Sequence, residues 1–293
     1  MNVVRITSGL GNQIFQYAFY CALKTNIPGT KMDISEFGYR NHHNGYELEK
    51  VFTILPDYAD KKACQSLADV SKDWFSDFRR KYLKIKLKCS GTLIEEDELG
   101  TGFHPEILSL DQSYFHGFWQ NEKYFLPIAD ILHKELTFKQ PLDDQNKRIS
   151  ESIAAGNSVS IHLRRGDYMK KRRMEAVGSV CSLDYYKRAI DYMESKVENP
   201  RFFIFSDDIQ WVRENLSIQN ATYIDINSGK NSYKDMQLMS LCNHNIIANS
   251  SFSWWGAWLN NHADKIIVAP SIWFRDVDLQ EIVPPNWVKI PVD

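Results

Sequence analysis

Polar and hydrophobic positions alternate strictly along residues 158–163, which read SVSIHL. This period of two, with branched aliphatic side chains at every second place, predicts a buried strand. The segment runs directly into Arg164 and Arg165, followed by a glycine and an aspartate. Because ligands of open α/β sheets bind beyond the carboxyl ends of the strands, the two guanidinium groups indicate an anion site, most simply for a phosphate or pyrophosphate.

Neighbouring residues of a strand point to opposite faces, so the two arginines are expected to have different roles. Arg164 lies on the same side as His162 and is assigned to the ligand, whereas Arg165 is assigned to internal bracing or to the far rim. The alternative is purely structural, with one arginine paired to Asp167 to hold the turn.

Strands and helices alternate regularly after this segment. Strands are predicted at 201–206, 222–226, 245–248 and 265–269, and helices at 183–193, 207–216, 233–242 and 249–259. This alternation predicts a doubly wound parallel sheet.

Polar residues follow three of these strands, and in a parallel sheet the three strand ends share one edge. They are His162, Arg164 and Arg165 at the end of the strand at 158–163, Asp207 and Asp208 after the strand at 201–206, and Asn249, Ser250 and Ser251 after the strand at 245–248. Backbone N–H groups and hydroxyls at a helix start bind phosphate, and an aspartate accepts hydrogen bonds from a ribose or a base. The edge therefore predicts a nucleotide site, with ordinary helix capping as the alternative for Asp207 and for Ser250 or Ser251.

The first half of the chain begins as a βαβ unit. A strand is predicted at 3–6, a tight loop at 8–13 that contains Gly9, Gly11 and Asn12, a helix at 14–26 and a strand at 31–34. A dinucleotide fold is disfavoured, because the third glycine of its fingerprint is replaced by Ile14. Asn12 either caps the helix or donates to a phosphate or leaving-group oxygen.

Residues 114–120 are predicted to form a strand that leads into a helix from about Glu122. His116 and Trp119 then lie at a sheet edge or cleft, where they could contact an acceptor, whereas Phe115 and Phe118 are assigned to the core. Residues 60–85 are predicted to be mostly helical, with one apolar stripe that consists of Trp74, Phe75, Phe78 and Tyr82. The acidic run at 95–98 is assigned to a solvated face.

Composition excludes some classes of function. The 293 residues carry a net charge of -2, so no broad basic field is available for a nucleic acid or a membrane surface. The five cysteines are scattered and odd in number, which supports neither a disulfide framework nor a zinc site and favours a reducing, cytoplasmic location. The sequence contains neither a signal peptide nor an apolar run long enough to span a membrane.

No metal site is predicted. Asp207 and Asp208 are adjacent, which is a poor chelating arrangement in an extended chain. A string match to Asp-x-Asp at Asp276 and Asp278 lies far beyond the strands of the site and is assigned to the surface. Two arginines at the anion site offer a metal-free way to stabilise a departing diphosphate.

Taken together, four motifs resemble, in the same order, those of bacterial α-1,2-fucosyltransferases. They are GLGNQ from Gly9, HLRRGDY from His162, FSDD from Phe205 and NSSFSWW from Asn249. The resemblance implies an α/β fold with two Rossmann-like domains that face a cleft (GT-B-like), residues 1–150 on the acceptor side and residues 151–293 binding the nucleotide sugar. It also implies an inverting transfer of L-fucose from GDP-fucose to the 2-hydroxyl of a galactose-terminated glycan, without a metal or cofactor. A cytoplasmic protein fits this activity, with peripheral contact to the inner membrane face as an option.

The resemblance also implies roles for individual residues. Arg164 binds the diphosphate and stabilises its departure, Asn12 reaches the reacting centre from the other domain, and Asp167 is the candidate base unless it only pairs with Arg165. The expected donor-binding residues are Gly9, Gly11, His162, Arg164, Arg165, Asp207, Asp208, Asn249, Ser250, Ser251 and Phe252. His116 and Trp119 are the candidates for acceptor contact. Two other functions stay open: a protein or core-glycan fucosyltransferase, and a non-catalytic sugar-nucleotide or glycan-binding module.

Overall fold

The computed structural model describes residues 1–39, 43–70, 73–99, 102–165, 180–274 and 280–292. The chain divides into two compact units, Met1–Thr137 and Phe138–Asp293. The domain limit expected at residue 150 falls inside a helix, Asp144–Ala154, so residues 138–150 fold with the second unit.

The first unit is built on a four-stranded sheet. Its strands are β1 (Val3–Arg5), β2 (Lys31–Asp33), β3 (Thr92–Glu95) and β4 (Ser113–His116), in the order β2-β1-β4-β3 and with parallel pairings throughout the described ranges. Its helices are α1 (Leu10–Asn26), α2 (Leu48–Val51), α3 (Lys61–Leu67), α4 (Trp74–Tyr82), α5 (Glu96–Leu99) and α6 (Ala129–Glu135). Short 3₁₀ segments lie at Ser35–Gly38, Pro105–Ser109, Glu122–Tyr124 and Leu126–Ile128.

Helix α1 packs along the sheet with an aromatic face. Phe19 stacks on Trp119, with ring centroids 4.4 Å apart, and meets Phe115 edge-on at 5.4 Å. Both partners are fully buried, so the assignment of Phe115 to the core is confirmed, whereas Phe118 is 43% exposed and its assignment to the core was wrong.

The strand predicted at 114–120 is shorter than expected. Strand β4 ends at His116, and Trp119 adopts a φ of 55°. The carboxylate of Glu96 accepts the backbone N–H groups of Phe118 (2.6 Å) and Trp119 (2.9 Å). These amides are therefore not available to a neighbouring strand, and the chain turns instead. The helix expected from Glu122 is replaced by two 3₁₀ segments before α6.

The second unit is built on a six-stranded sheet that confirms the predicted parallel α/β pattern. Its strands are β5 (Ser158–Leu163), β6 (Arg201–Ser206), β7 (Ala221–Ile224), β8 (His244–Ile246), β9 (Ile267–Pro270) and β10 (Val288–Ile290), in the order β10-β9-β8-β5-β6-β7. Its helices are α7 (Asp144–Ala154), α8 (Leu183–Lys196), α9 (Ile209–Asn215), α10 (Tyr233–Leu241) and α11 (Ser251–Trp258). The chain winds outward from β5 to β7, returns to β8 beside β5, and winds outward again to β10.

Both faces of this sheet are covered by apolar side chains. Ile161 and Ile204 contribute to a core on the face of α8, and Phe203 and Phe205 contribute to a core with Leu238 of α10 on the other face. Strand β10 was not predicted, since 265–269 was expected to be the last strand. Strand β10 is a three-residue edge strand that pairs with β9.

Candidate functional site

The second unit changes its winding direction between β5 and β8, which are paired neighbours. Such a switch point leaves a crevice at the carboxyl ends of the strands, where α/β proteins bind ligands. His162, Arg164 and Arg165 belong to the end of β5, and Asn249 and Ser250 follow β8. The sheet topology therefore brings the predicted residues of these strands to the same edge.

Asp207 joins the ends of β5 and β6. Its Oδ1 atom accepts the backbone N–H of Arg165 at 2.8 Å, and its Oδ2 atom lies 3.3 Å from Nε of Arg164. The side chains of Arg164 and Asp207 are 29% and 25% exposed. One carboxylate thus fixes both the backbone after β5 and the guanidinium of Arg164 at the rim of the crevice.

Arg165 is held away from Arg164 by a different set of contacts. Its guanidinium lies 3.4 Å from the centroid of the Trp211 ring, and its Nε atom lies 3.8 Å from Oδ2 of Asp208. Asp208 in turn caps α9, because its Oδ1 atom accepts the backbone N–H of Trp211 at 3.2 Å. Arg165 is therefore positioned as a brace. The capping role considered for Asp207 belongs to Asp208.

His162 lies beneath this edge and is 5% exposed. Its ring centroid is 5.9 Å from that of Phe252, and its Nδ1 atom has no hydrogen-bond partner among the described residues. Burial, together with the positive charge of Arg164, lowers the pKa of His162 to about 4, against a smaller opposing effect of Asp207. His162 is therefore neutral at pH 7 and can offer a neutral hydrogen-bonding ring to a ligand.

The start of α11 supplies the third part of the edge. Ser250 is the N-cap residue, and in the described part of the chain its side chain makes no capping hydrogen bond. The first N–H groups of a helix have no acceptor within the helix, so those after Ser250 can bind an anion. Asn249 is buried and donates from Nδ2 to the carbonyl of Trp273 at 3.2 Å, whereas Ser251 and Phe252 are half-buried.

Two tyrosines of α8 hold this edge together, and neither was predicted from the sequence. The hydroxyl of Tyr186 donates to the carbonyl of His162 at 3.1 Å, and the hydroxyl of Tyr185 donates to the carbonyl of Ile247 at 2.6 Å. Both rings are buried. In the sequence they are indistinguishable from core aromatics, because only the packing of α8 shows which carbonyls they reach.

In the first unit, helix α1 begins four residues earlier than predicted, at Leu10 with Gly9 as the N-cap residue. Gly11 and Asn12 thus lie in the first helical turn rather than in a loop. A Cβ atom on Gly9 would lie 3.4 Å from the ring of His43, so the glycine permits a close approach of that side chain.

Asn12 does not cap the helix. Its Nδ2 atom donates to Oγ of Ser8 at 3.1 Å, and its Oδ1 atom accepts from Nε2 of Gln120 at 2.7 Å. Two buried glutamines support this turn and were missed: Gln13 donates to the carbonyls of Ser8 and Gly45, and Gln16 donates to the carbonyl of Gly117. The amide of Asn12 is therefore held in a defined orientation at the carboxyl ends of β1 and β4.

The two acceptor candidates lie in very different places. His116 is half-buried at the end of β4, with Nδ1 3.2 Å from Oε2 of Glu95. Trp119 has no exposed surface, because it turns inward onto Phe19, so its assignment to acceptor contact was wrong. Glu95 and Glu96 are also partly buried rather than on a solvated face.

A row of four charged or titratable residues crosses the first sheet and was not recognised in the sequence. Asp33 pairs with Arg5, and His116 pairs with Glu95. The pairing of Val4 with Phe115 places Arg5 beside His116. A pocket of 390 Å³ opens at one end of the row, lined by residues that include Arg5, Asp33, Tyr39, Lys61 and Tyr114.

Three further features concern metals, cysteines and membranes. Among the described residues, no group of three His, Cys, Asp or Glu side chains is placed to hold a metal ion. Asp167, Asp276 and Asp278 lie outside the described residues. All five cysteines are described and carry free thiols, and no described helix is long and apolar enough to cross a membrane.

Comparison with known proteins finds relatives over almost the whole chain. The chain is 34% identical over 295 residues to an α-1,2-colitosyltransferase of Escherichia coli, across 98% of each chain. It is 27% identical over 191 residues to galactoside α-(1,2)-fucosyltransferase 1 of Ateles belzebuth, which covers 60% of this chain and 52% of the relative. Among solved structures, the α-1,6-fucosyltransferase NodZ, soaked with GDP-fucose, shares the fold with a TM-score of 0.53 at 13% identity, over 88% of this chain and 91% of that one. The sequence profile described as Glycosyl transferase family 11 matches residues 100–291, and with the colitosyltransferase relative it shows that this chain belongs to glycosyl transferase family 11.

Proposed function

We propose that this protein transfers L-fucose from GDP-fucose to the 2-hydroxyl of a galactose-terminated glycan, such as an O-antigen unit or an oligosaccharide. The transfer inverts the anomeric centre and needs no metal or cofactor. Membership of glycosyl transferase family 11 supports the reaction class, and the fucosyl and colitosyl activities named for its relatives support the α-1,2 linkage.

The observation that carries the proposal is the contact between Arg164 and Asp207 beside the start of α11. A diphosphate at this edge meets the guanidinium of Arg164 on one side and the first N–H groups of α11 on the other. As the bond between the sugar and the diphosphate breaks, negative charge develops on the leaving oxygen. A fixed guanidinium stabilises that charge more than it stabilises the bound donor.

Bond breaking and bond making are coupled in an inverting transfer. The anomeric carbon loses the β-phosphate oxygen while the 2-hydroxyl oxygen of the acceptor bonds to the opposite face. The acceptor proton leaves to a base, for which Asp167 is our candidate on the strength of its motif. We assign Asn12 to the reacting centre. We also propose that two Rossmann-like domains face a cleft and that the protein is cytoplasmic.

A second donor is favoured by one specific observation. The relative that is similar over 98% of both chains is a colitosyltransferase, and colitose lacks the 3-hydroxyl group that fucose carries. Rejection of a sugar that lacks one hydroxyl requires a polar partner which would be left unpaired. GDP-fucose and GDP-colitose are therefore both candidate donors.

The test is a transfer assay with labelled GDP-fucose, GDP-colitose and a panel of galactosides, with linkage analysis of the product. We expect an α-1,2-linked product and full activity in excess chelator. Arg164→Ala should lower kcat by about 10²–10³-fold, the loss typical for removal of one transition-state hydrogen-bond donor. Arg148→Ala, which changes an exposed arginine of α7, is the matched control.

Three outcomes contradict the proposal. Strict dependence on manganese would contradict the metal-free mechanism. GDP release by Arg164→Ala at the wild-type rate would contradict the role assigned to Arg164. Tight binding of GDP-fucose without turnover on any galactoside points to a binding module, and fucosylation of proteins or core glycans alone changes the acceptor class.

A further inference from the structure

Helix α4 displays its aromatic residues to solvent. Trp74 is 80% exposed, Phe75 61% and Tyr82 65%. Trp74, Phe78 and Tyr82 follow one another at helical spacing, with ring centroids 5.9 Å and 5.2 Å apart. The apolar stripe predicted from the sequence thus forms, but it faces away from the core.

The polar side of α4 holds the helix to the rest of the first unit. Arg79 donates to Oδ1 of Asp69 at 2.7 Å, and Arg80 donates to the same atom at 3.2 Å. The side chain of Asp69 is only 7% exposed, and the buried residue of α4 is Ser76, whose N–H is accepted by Asp73. A helix of a soluble domain normally buries its apolar face and exposes its charges, whereas α4 does the reverse.

Basic residues surround the aromatic face and continue beyond it. Lys81, Lys84, Lys86 and Lys88 are all exposed, and they alternate at the end with Ile85, which is 53% exposed, and Leu87. The whole chain has a net charge of -2, so this is a local cluster rather than part of a basic protein. Lysines around exposed Trp, Phe and Tyr are typical of segments that lie in the interface of an anionic membrane.

We propose that residues 74–88, which we call the aromatic–basic segment, attach this protein peripherally to an anionic membrane surface. The aromatic rings enter the headgroup region, and the lysine ammonium groups pair with lipid phosphates at its border. Charge complementarity identifies the occupant, because a purely apolar partner would leave four lysines facing no counter-charge. The inference is independent of the proposed transfer reaction.

The experiment is co-sedimentation of the purified full-length chain with lipid vesicles. Vesicles of phosphatidylcholine with one quarter phosphatidylglycerol are compared with phosphatidylcholine alone, at 0.1 M and 0.5 M salt. We expect binding to the anionic vesicles that is at least about tenfold stronger than to the neutral ones and that weakens at high salt, because the Debye length shortens.

Two variants separate the contributions of the rings and the lysines. Trp74→Ser with Phe75→Ser removes exposed rings, and a quadruple Lys→Gln variant at 81, 84, 86 and 88 removes the charges. Each should weaken binding to anionic vesicles by about tenfold or more, with an unchanged circular dichroism spectrum. The matched controls are Leu126→Ser with Ile131→Ser, which are 53% and 49% exposed, and Lys→Gln at the exposed positions 62, 147, 187 and 196. Both controls should bind as the wild type does.

The proposal is overturned if the wild type does not bind anionic vesicles, or if both segment variants bind them as well as the wild type. Light scattering adds a direct test of the rival occupant. If the wild type self-associates, loses this with Trp74→Ser and Phe75→Ser, and ignores the vesicles, the segment is an interface between copies of the chain and the membrane proposal fails.

Discussion

Asp207 reaches Arg164 across the ends of two neighbouring strands, with its Oδ2 atom 3.3 Å from Nε of the arginine. The same carboxylate accepts the backbone N–H of Arg165 at 2.8 Å through its other oxygen. An aspartate at the end of a strand was expected to contact the nucleoside. In this geometry it contacts the guanidinium that we assign to the leaving diphosphate, and we predict that it acts as a positioning residue.

Asp207→Asn tests this arrangement. The asparagine can still accept the N–H of Arg165, but it loses the charge that holds Arg164. Charge-assisted hydrogen bonds contribute about 1.5–3 kcal/mol when buried, and the partial exposure of both side chains places this pair at the lower end. We expect kcat to fall about tenfold with little change in the donor KM.

Steady-state kinetics with GDP-fucose at saturating acceptor provides the measurement. The control is Asp191→Asn, an exposed aspartate of α8, which should keep the wild-type kcat. An unchanged kcat together with lost discrimination between guanine and other nucleotides would assign Asp207 to the nucleoside instead.

Burial of His162 predicts a specific sensitivity to acid. The pKa of His162 is lowered to about 4 in the folded protein, whereas an unfolded histidine titrates near 6.5. Between these values the unfolded chain binds more protons, so the free energy of unfolding decreases as the pH falls below about 6.5. This contribution is present in full above pH 6.5 and lost as the pH falls toward 4, about 1 kcal/mol of it between pH 7.5 and 5.5.

Urea unfolding of the wild type and His162→Gln at pH 7.5 and 5.5 measures this effect. The difference in unfolding free energy between the two proteins should shrink by about 1 kcal/mol at the lower pH, because the variant lacks the titrating ring. Parallel losses in the two proteins would show that His162 is not held neutral in the folded state.

The second unit could be predicted well because each of its elements has one clear period. The alternation around His162 and the polar residues Asp208 and Ser250 at the helix starts are local signals, and the parallel sheet then brings their strand ends together. The contact between Asp207 and Arg164 could not be predicted, since it joins residues 43 positions apart whose pairing depends on the sheet register.

The first unit was harder to predict, because its signals are ambiguous rather than absent. Trp119 follows a strand and is aromatic, which suits a binding edge as well as a core. The hydrogen bonds from the amides of Phe118 and Trp119 to Glu96 turn the chain at this point. As a result, the Phe118 ring points outward and the Trp119 ring points inward. Similarly, periodicity places Trp74 and Tyr82 on one face of α4 but does not say which way that face points.

The turn held by Glu96 depends on the absence of a side chain at Gly117. A Cβ atom there would lie 2.4 Å from Cβ of Glu96 and 2.7 Å from its Oε2 atom. Since both atoms belong to the Glu96 side chain, whose carboxylate is fixed by two hydrogen bonds, Gly117→Ala should destabilise the protein by about 1–3 kcal/mol. Gly38→Ala is the matched control and should be nearly neutral, because no heavy atom of the described residues, apart from its chain neighbours, lies within 4 Å of the added carbon. Urea unfolding at pH 7.5 measures both, and equal stabilities for the two variants would contradict the steric argument.

The side chains of Asn12 and Gln120 are joined by a hydrogen bond. Gln120 donates from Nε2 to Oδ1 of Asn12 at 2.7 Å, while Nδ2 of Asn12 donates one of its two protons to Ser8. If Asn12 donates its other proton to the reacting centre, Gln120 acts only by fixing the orientation of the amide. Asn12→Ala should then lower kcat by about 10–100-fold, and Gln120→Ala by about tenfold.

A double-mutant cycle distinguishes positioning from an independent contribution. Once Asn12 is removed, Gln120 has nothing left to orient, so Asn12→Ala with Gln120→Ala should be no slower than Asn12→Ala alone. Gln145→Ala, at an exposed position of α7, should leave kcat unchanged and add nothing to Asn12→Ala. Losses that multiply in the Asn12–Gln120 double variant would mean that Gln120 contacts the substrate itself, because two independent contacts contribute additive free energies to the same transition state.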